Sequence, residues 1–234
     1  MSRHQKRVAS PRSWPIARKI HTWVAKSKPG PHSAKGSIPL VVVVRDLLGL
    51  VDNSREAKRV LHEGGVLVDG KARKDLNFPV GIFDVISVPA LDKKFRLLSD
   101  AKGRFDLHEL EKGEARKLCR IENKTILKGG KTQLNLNDGT NILAEGDYTT
   151  GSSVILSIPD KEIADVIEFK EGNLAMVVGG THSGEVGTIK EIEVVRSSRP
   201  NRVIISGKED FETTVDHVFM IGRDKPAIKL GAEI

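Results

Sequence analysis

Cysteine, aromatic residues and long hydrophobic runs are all scarce in this chain. Its 234 residues include one cysteine, Cys119, so a disulfide framework and a zinc site built from several thiolates are both excluded. No apolar run approaches the roughly 20 residues that a membrane span needs, and no secretory leader is recognisable. Aromatic residues make up only 4% of the chain, which favours several small modules over one large core. We therefore expect an intracellular, soluble protein with no membrane partner.

Acidic residues are absent from the first 45 positions, and the first carboxylate is Asp46. Nine Lys and Arg residues lie between Met1 and Pro39. By contrast, residues 41–107 carry twelve basic and ten acidic residues, and the two segments that follow, 108–170 and 171–234, are each slightly acidic. The electrostatic attraction to a polyanion is therefore concentrated in the N-terminal segment.

The N-terminal segment mixes basic residues with prolines, glycines and two tryptophans. Ser13 is placed to cap a short helix with Pro15 in its first turn. The apolar face of that helix would consist of Ile16, Ile20, Trp23 and Val24. A solvated disordered tail, an organelle transit peptide and an arm that folds onto RNA all fit this composition. We favour the RNA-binding arm, because basic side chains bind phosphates and aromatic rings stack on bases.

The next segment, LVVVVRDLL at residues 40–48, contains four consecutive valines, which favour a strand by propensity. Its period instead predicts a helix, because Leu40, Val43, Val44, Leu47 and Leu48 fall on one stripe.

A second helix is predicted after residue 53, capped by Asn53 or Ser54 and ended by Gly64-Gly65. Its buried stripe would be Ala57, Val60 and Leu61. A short strand, residues 66–68, and a two-residue hairpin turn, Asp69-Gly70, follow. Basic residues occupy the opposite helix face and the exit from the turn: Arg55, Lys58, Arg59, Lys71, Arg73 and Lys74.

This stretch resembles the alpha-L RNA-binding motif, a small module found in ribosomal proteins, pseudouridine synthases and tyrosyl-tRNA synthetases. The matching residues are Ser54-Arg55-Glu56-Ala57, Leu61, Gly64, Val66, Val68 and Asp69-Gly70-Lys71, with a closing strand within residues 78–89. The resemblance implies that Arg55, Lys58, Arg59, Lys71 and Arg73 contact RNA phosphates. Each of these residues alone is equally typical of a solvated surface charge, but the set favours an RNA-binding surface.

Residues 117–158 predict short strands, and Pro159 is expected to open a short helix. The sequence Gly130-Lys131-Thr132 has the ending of a nucleotide-binding loop. The required earlier glycine is replaced by Thr125, and a strand pattern rather than a helix follows Thr132. A nucleotide pocket is therefore not favoured here.

A glycine-rich stretch, residues 172–192, predicts a strand–loop–strand connection followed by a hairpin that carries three arginines. It resembles a KOW motif, the strand–loop–strand of a small β-barrel in ribosomal proteins and transcription elongation factors. The residues that match are Gly172, Val177, Gly180, Gly184, Gly187 and Ile189. Glu185 stands where the family usually has lysines, so phosphate contacts from the loop would come from backbone amides, His182 and Ser183. On the hairpin, Arg196, Arg199 and Arg202 fit either phosphate contacts or a plain exposed turn.

The order of these motifs, from SWPIARK to TTVDHVFMIGRDKP, is similar to that of the archaeal and eukaryotic type of small-subunit ribosomal protein four. The resemblance implies an α+β chain with four parts: a basic N-terminal extension (1–39), an alpha-L RNA-binding module (40–107), a central β domain (108–170) and a KOW-containing β-barrel domain (171–234). The last two parts would be small and barrel-like.

The resemblance also implies a structural role in the cytoplasmic small ribosomal subunit, with small-subunit rRNA and neighbouring ribosomal proteins as partners. No small-molecule substrate, metal or cofactor is expected, and no His pair has metal-helix spacing. An RNA-modifying enzyme is the alternative class. The predicted rRNA-binding residues are Arg3, Lys6, Arg7, Arg12, Trp14, Arg18, Lys19, Trp23, Lys26, Lys28, Lys35, Arg55, Lys58, Arg59, Lys71, Arg73, Lys74, His182, Ser183, Arg196, Arg199 and Arg202.

Overall fold

The computed structural model describes residues 4–100, 102–111, 114–207 and 209–230, and β-strands are the main regular secondary structure among them. The chain divides into two compact units. Unit 1 comprises Met1–Leu98, Arg104–Lys117 and Ile158–Asp160, and unit 2 comprises Ser99–Gly103, Leu118–Ser157 and Lys161–Ile234. Within the described ranges, no helix is long and apolar enough to cross a membrane.

The N-terminal arm of unit 1 folds through turns and a strand pair, and the helix predicted to begin after Ser13 does not form. Strands β1 (Gln5–Lys6) and β2 (Trp23–Val24) pair antiparallel. Between them the backbone makes tight turns, with the amide of Trp14 bonded to the carbonyl of Pro11 at 3.3 Å. The residue before a proline disfavours the helical region, so Trp14 before Pro15 works against a helix start at Ser13. Ile20 is 65% exposed, so no continuous apolar face is buried.

The two helices predicted in the next segment are both present. Helix α1 (Leu40–Val42) continues through a wider π-type turn (Val43–Leu47), in which the amide of Leu48 bonds to the carbonyl of Val43 at 2.9 Å. Helix α2 (Ser54–His62) begins at Asn53, whose side-chain oxygen accepts hydrogen bonds from the amides of Arg55 and Glu56. All four valines of α1 and the π-type turn lie in the core, and this burial outweighs their strand propensity.

The strands between residues 37 and 109 share a hydrophobic core with this helical pair. They are β3 (Ser37–Pro39), β4 (Leu67–Val68), β5 (Lys71–Ala72), β6 (Pro79–Gly81), β7 (Val85–Val88), β8 (Lys93–Ser99) and β9 (Phe105–Glu109). A five-stranded sheet has the order β5-β4-β7-β8-β9, and β3 pairs separately with β6. One hydrophobic core joins α1 and α2 to the sheet, and it includes Trp14 from the arm.

Unit 2 contains two five-stranded sheets. The first has the order β12-β11-β10-β13-β14 and the second has the order β18-β17-β16-β15-β19. The strands are β10 (Arg116–Ile126), β11 (Thr132–Leu136), β12 (Asn141–Ala144), β13 (Ser153–Ser157), β14 (Ile163–Ile167), β15 (Leu174–Val177), β16 (Val186–Glu193), β17 (Arg202–Ser206), β18 (Asp210–Thr214) and β19 (Val218–Gly222). Arg116 and Lys117, at the start of β10, are assigned to unit 1.

The prediction of a helix after Pro159 is wrong, because that segment contains strand β14. Lys161 has a positive φ of 62°, which a helix does not accommodate, and its amide bonds to the carbonyl of Ser157 at 2.8 Å. The following residues pair antiparallel with β13, from Leu156 opposite Ile163 to Ser153 opposite Ile167. Edge pairing with β13 therefore outweighs the helical propensity of the sequence.

Candidate nucleic-acid interface

Helix α2 presents its basic residues to solvent. Arg55, Lys58 and Arg59 are exposed, whereas Ala57 and Leu61 on the opposite side are fully buried. Arg59 donates from Nε to Glu63 at 3.1 Å, but both side chains are mostly exposed, so this ion pair contributes little stability. The guanidinium groups are therefore accessible to a phosphate backbone, as the sequence predicts.

The β4–β5 hairpin adds a second basic surface to the same unit. Its two-residue turn has positive φ at Asp69 (51°) and Gly70 (75°), a combination typical of tight hairpins. Lys71 and Lys74 are exposed. Arg73 is half-buried, with its guanidinium carbon 4.5 Å from the centre of the Phe78 ring. Arg73 is thus partly engaged in a cation–π contact, and the two lysines remain displayed.

A buried ion cluster fixes the base of this hairpin. Lys117 Nζ lies 2.6 Å from Asp69 Oδ2 and 2.6 Å from Asp84 Oδ1. On its other side Asp84 meets His32 Nε2 at 2.9 Å. The carboxylates also accept backbone hydrogen bonds, from Val85 to Asp69 at 3.0 Å and from Gly81 to Asp84 at 2.9 Å. The cluster therefore connects four segments that are distant in sequence.

The two carboxyl groups of the cluster have pKa values shifted in opposite directions. Burial raises the pKa of Asp69, and the negative charge of Asp84 raises it further. Burial also acts to raise the pKa of Asp84, but the positive Lys117 and the nearby His32 outweigh burial and hold it well below its usual range. The Asp84 carboxylate is therefore the charged centre that Lys117 neutralises. Lys117 and Asp84 are almost completely buried, so the cluster holds the fold of the hairpin.

In the N-terminal arm, three arginines line one open cleft. Arg12 and Arg18 lie around it with Trp14, Pro15, Ile16 and Ala17, and Arg104 completes the lining. Nothing in the sequence around Arg104 marks it as part of this group. Its position depends on a backbone hydrogen bond from Phe105 to the carbonyl of Ser13 at 2.7 Å, a contact between distant segments that no local pattern encodes.

A second group in the arm surrounds Trp23, which is 57% exposed. Lys6 lies opposite Trp23 in the β1–β2 pair, and the ring of His4 is 5.7 Å from the indole ring. An exposed indole between basic side chains is suited to stacking on an unpaired base. Of the remaining basic residues of the arm, Lys19 and Lys35 are exposed, Lys26 is half-buried, and Lys28 binds Asp75 at 2.6 Å.

Two residues of the arm that the sequence predicts to contact RNA have buried side chains. Trp14 is 3% exposed, packs in the core of unit 1 and donates from Nε1 to the carbonyl of Ser37 at 2.8 Å. Arg7 is 7% exposed and donates from Nε to the carbonyl of Ala17. Neither side chain is presented to a partner as predicted. Arg3 lies outside the described residues.

In unit 2 the glycine-rich loop between β15 and β16 uses its polar side chains internally. His182 stacks on Phe211 with ring centres 4.3 Å apart, and its Nδ1 lies 3.2 Å from Glu185 Oε1. Ser183 is only 9% exposed, so its side chain is not displayed at the surface, and its contact with phosphate stays a prediction. On the next hairpin, Arg196 and Arg199 are exposed, whereas Arg202 pairs with Glu212 at 2.7 Å.

The described geometry and a domain comparison define the class of protein. The S4 domain model matches residues 38–86, which contain α1, α2 and the β4–β5 hairpin, and the RS4NT (NUC023) domain model matches residues 1–35. This is a modular RNA-binding protein. A third model, Ribosomal family S4e, matches residues 91–163.

The similarity to known proteins extends over 97% of the chain. Small ribosomal subunit protein eS4 of Archaeoglobus fulgidus is 52% identical over 232 residues, which is 97% of this chain and 98% of the relative. The eS4 protein of Methanocella arvoryzae is 53% identical and covers 97% of each chain. The chain therefore belongs to ribosomal protein family S4e. A crystal structure of 30S ribosomal protein S4e from Thermoplasma acidophilum superposes with a TM-score of 0.68 at 34% identity, covering 80% of this chain and 95% of that one.

These findings confirm the predicted family, the α+β class with barrel-like sheets, and a ribosomal rather than an enzymatic protein. The RNA-modifying alternative is therefore not supported. The KOW assignment of the β15–β16 hairpin stays a prediction. So do the four domain boundaries and the residues that contact RNA.

Proposed function

We propose that this chain is a structural constituent of the small ribosomal subunit in the cytoplasm, where it binds small-subunit rRNA and neighbouring ribosomal proteins. The observation that carries the proposal is the exposed basic surface of the S4 domain, formed by Arg55, Lys58 and Arg59 on α2 and by Lys71 and Lys74 on the hairpin. Two groups in the arm support it, the arginine cleft and the exposed Trp23.

The mechanism is phosphate and shape recognition. Lys and Arg side chains that meet phosphates set the register and orientation of a protein on RNA, and they carry little sequence information. The helical row and the hairpin present such side chains on a rigid frame, because the cap at Asn53 and the buried ion cluster fix their backbones. The slightly acidic segments 108–170 and 171–234 suit contacts with neighbouring proteins.

Salt dependence tests the electrostatic part of this proposal. If about six basic side chains contact phosphates, the affinity for small-subunit rRNA is expected to fall roughly a thousandfold between 50 and 200 mM salt, because each contact releases a condensed counterion. Filter binding or fluorescence anisotropy across that range measures the slope. A protein that binds rRNA no better than a neutral polymer at low salt would contradict the proposal.

Charge reversal at α2 tests the surface itself. The double substitution Arg55→Glu with Arg59→Glu is expected to reduce the salt slope by about 2 and to weaken rRNA binding at least tenfold. Its unfolding temperature should change little, because both side chains are exposed. The control, Lys93→Glu with Lys225→Glu, changes the net charge by the same amount at two exposed lysines away from α2. Equal loss in both variants, or a shift of many degrees in the first, would assign Arg55 and Arg59 a different role.

A further inference from the structure

The hairpin between β10 and β11 projects from the first sheet of unit 2. Residues 122–131, including the last five of β10, are all exposed. Successive side chains of a strand point to opposite faces, so a run without a buried member means that neither face is covered. Before this run, Leu118, Cys119 and Ile121 are fully buried. The strand therefore leaves the core at Ile121.

The tip of the hairpin, defined here as residues 124–131, extends the two-stranded ribbon of β10 and β11 and is closed by glycines. Thr125 lies opposite Gln133, and Ile126 lies opposite Thr132. Gly129 and Gly130 have φ values of +85° and +75°, and a Cβ atom on either would meet nothing within 4 Å. The turn therefore needs these glycines for their backbone conformation, and the space around it is open.

Hydrogen bonds between uncharged side chains brace the ribbon. Asn135 donates from Nδ2 to Thr125 Oγ1 at 3.0 Å across the two strands, and Gln133 donates from Nε2 to Asn135 Oδ1 at 2.8 Å. These hydrogen bonds link the two strands, and a preformed ribbon lowers the entropic cost of binding a partner.

The charge of the tip contrasts with that of its surroundings. Residues 108–170 carry nine basic and eleven acidic residues, yet residues 123–137 contain three lysines, Lys124, Lys128 and Lys131, and no carboxylate. All three lysines are exposed. Lys124 Nζ lies 3.5 Å from Asp147 Oδ1, a carboxylate that is 96% exposed, so water screens this pair. Ile126 is 79% exposed beside the lysines.

We propose that this tip is a second RNA-binding element, in which Lys124, Lys128 and Lys131 contact phosphates and Ile126 packs against sugars in a shallow groove. Complementary charge identifies the partner as a polyanion, and the wide, shallow minor groove of an RNA helix admits a surface of this kind. The inference rests on the proposed function only for the identity of the RNA, because none of the tip residues lies in the S4 domain or the arm. An acidic protein surface is the competing partner, and cross-linking from the tip distinguishes it from RNA.

A triple substitution of the lysines tests the phosphate contacts. Lys124→Gln, Lys128→Gln and Lys131→Gln together are expected to reduce the salt slope of rRNA binding by roughly 2 to 3 and to weaken binding more than tenfold. The control, Lys93→Gln, Lys170→Gln and Lys225→Gln, removes the same charge from other exposed positions and should leave the slope near that of the wild type. Identical slopes for the two variants would overturn the proposal. A wild-type protein that fails to bind rRNA would instead overturn the proposed function.

Substitution of the isoleucine and cross-linking from the tip provide independent readouts. Ile126→Ser is expected to weaken rRNA binding several-fold with an unchanged salt slope, because an apolar contact releases no counterions. A photo-cross-linker on Lys128→Cys can be attached selectively, because Cys119 is the chain's single cysteine and is buried. In reconstituted subunits it should label rRNA, whereas the same reagent on Lys170→Cys should not. Labelling of protein alone from position 128 would show that the tip meets a protein and would overturn the proposal.

Discussion

Replacing Lys117 with methionine is expected to destabilise unit 1 by about 3–5 kcal/mol, the cost of removing one partner from a buried ion pair. Methionine is similar to lysine in length, so the change removes the charge without leaving a large cavity. Asp69 and Asp84, each 2.6 Å from the ammonium group, would then lie buried without it. Urea denaturation at pH 7 measures the change in the free energy of unfolding.

The stability lost in Lys117→Met should depend on pH, and the pKa of Asp69 sets the direction of that dependence. The pKa of Asp69 is raised by burial and by Asp84, and removal of Lys117 raises it further. When the pKa of a carboxyl group is higher in the folded than in the unfolded protein, the group contributes stability below its unfolded-state pKa. That contribution is lost as the pH rises through the folded-state pKa. The variant should therefore lose less stability at pH 5 than at pH 8.

Two further variants separate the loss of charge from the loss of packing. Lys117→Met combined with Asp69→Asn should be more stable than Lys117→Met alone, because the asparagine still accepts the hydrogen bond from Val85 without a buried charge. Lys93→Met removes an exposed lysine that pairs with Glu109 and should change stability by less than about 1 kcal/mol. If the double variant is no more stable than Lys117→Met, lost packing rather than lost charge accounts for the lower free energy of unfolding.

The ion cluster shows which parts of the fold are encoded locally and which are not. The cap at Asn53, the buried stripe of α2 and the Asp69-Gly70 turn could be predicted, because each depends on residues within one or two turns of chain. The cluster could not, since His32, Asp69, Asp84 and Lys117 come from four segments that only the tertiary fold brings together. In the sequence Asp69 is simply a turn residue, and Lys117 one more basic residue.

The candidate RNA-binding residues also divide into those whose exposure a local sequence pattern predicts and those for which no such pattern exists. The alternation of apolar and basic positions in α2 correctly predicted that Arg55, Lys58 and Arg59 are displayed, because a helix fixes the direction of its side chains. In the arm there is no such repeating geometry. Basic and aromatic composition alone could not distinguish Arg7 and Trp14, which are buried, from Arg12 and Trp23, which are not. Arg104 is distant from the arm in sequence, and the hydrogen bond from Phe105 to Ser13 lies next to it.

The two tryptophans of the arm are expected to respond oppositely to truncation. Trp14→Ala should lower stability by about 3–5 kcal/mol, because the indole ring is 3% exposed in the core and its N–H bonds to the carbonyl of Ser37. Trp23→Ala should change stability by less than about 0.5 kcal/mol, because its ring is 57% exposed. If that ring stacks on a base, rRNA binding should weaken by about 1–3 kcal/mol, an effect that thermal unfolding would not register.

Both variants should be measured by thermal unfolding and by rRNA binding, with Trp14→Phe as the control that keeps an aromatic ring in the core. Trp14→Phe should recover most of the lost stability, since packing outweighs the single hydrogen bond. Deletion of the whole arm cannot replace these substitutions, because it would remove core packing by Trp14 together with the basic residues. Equal losses of stability in Trp14→Ala and Trp23→Ala would contradict the burial that separates them. Unchanged rRNA affinity in Trp23→Ala would exclude stacking and leave the arm to bind RNA through its charges alone.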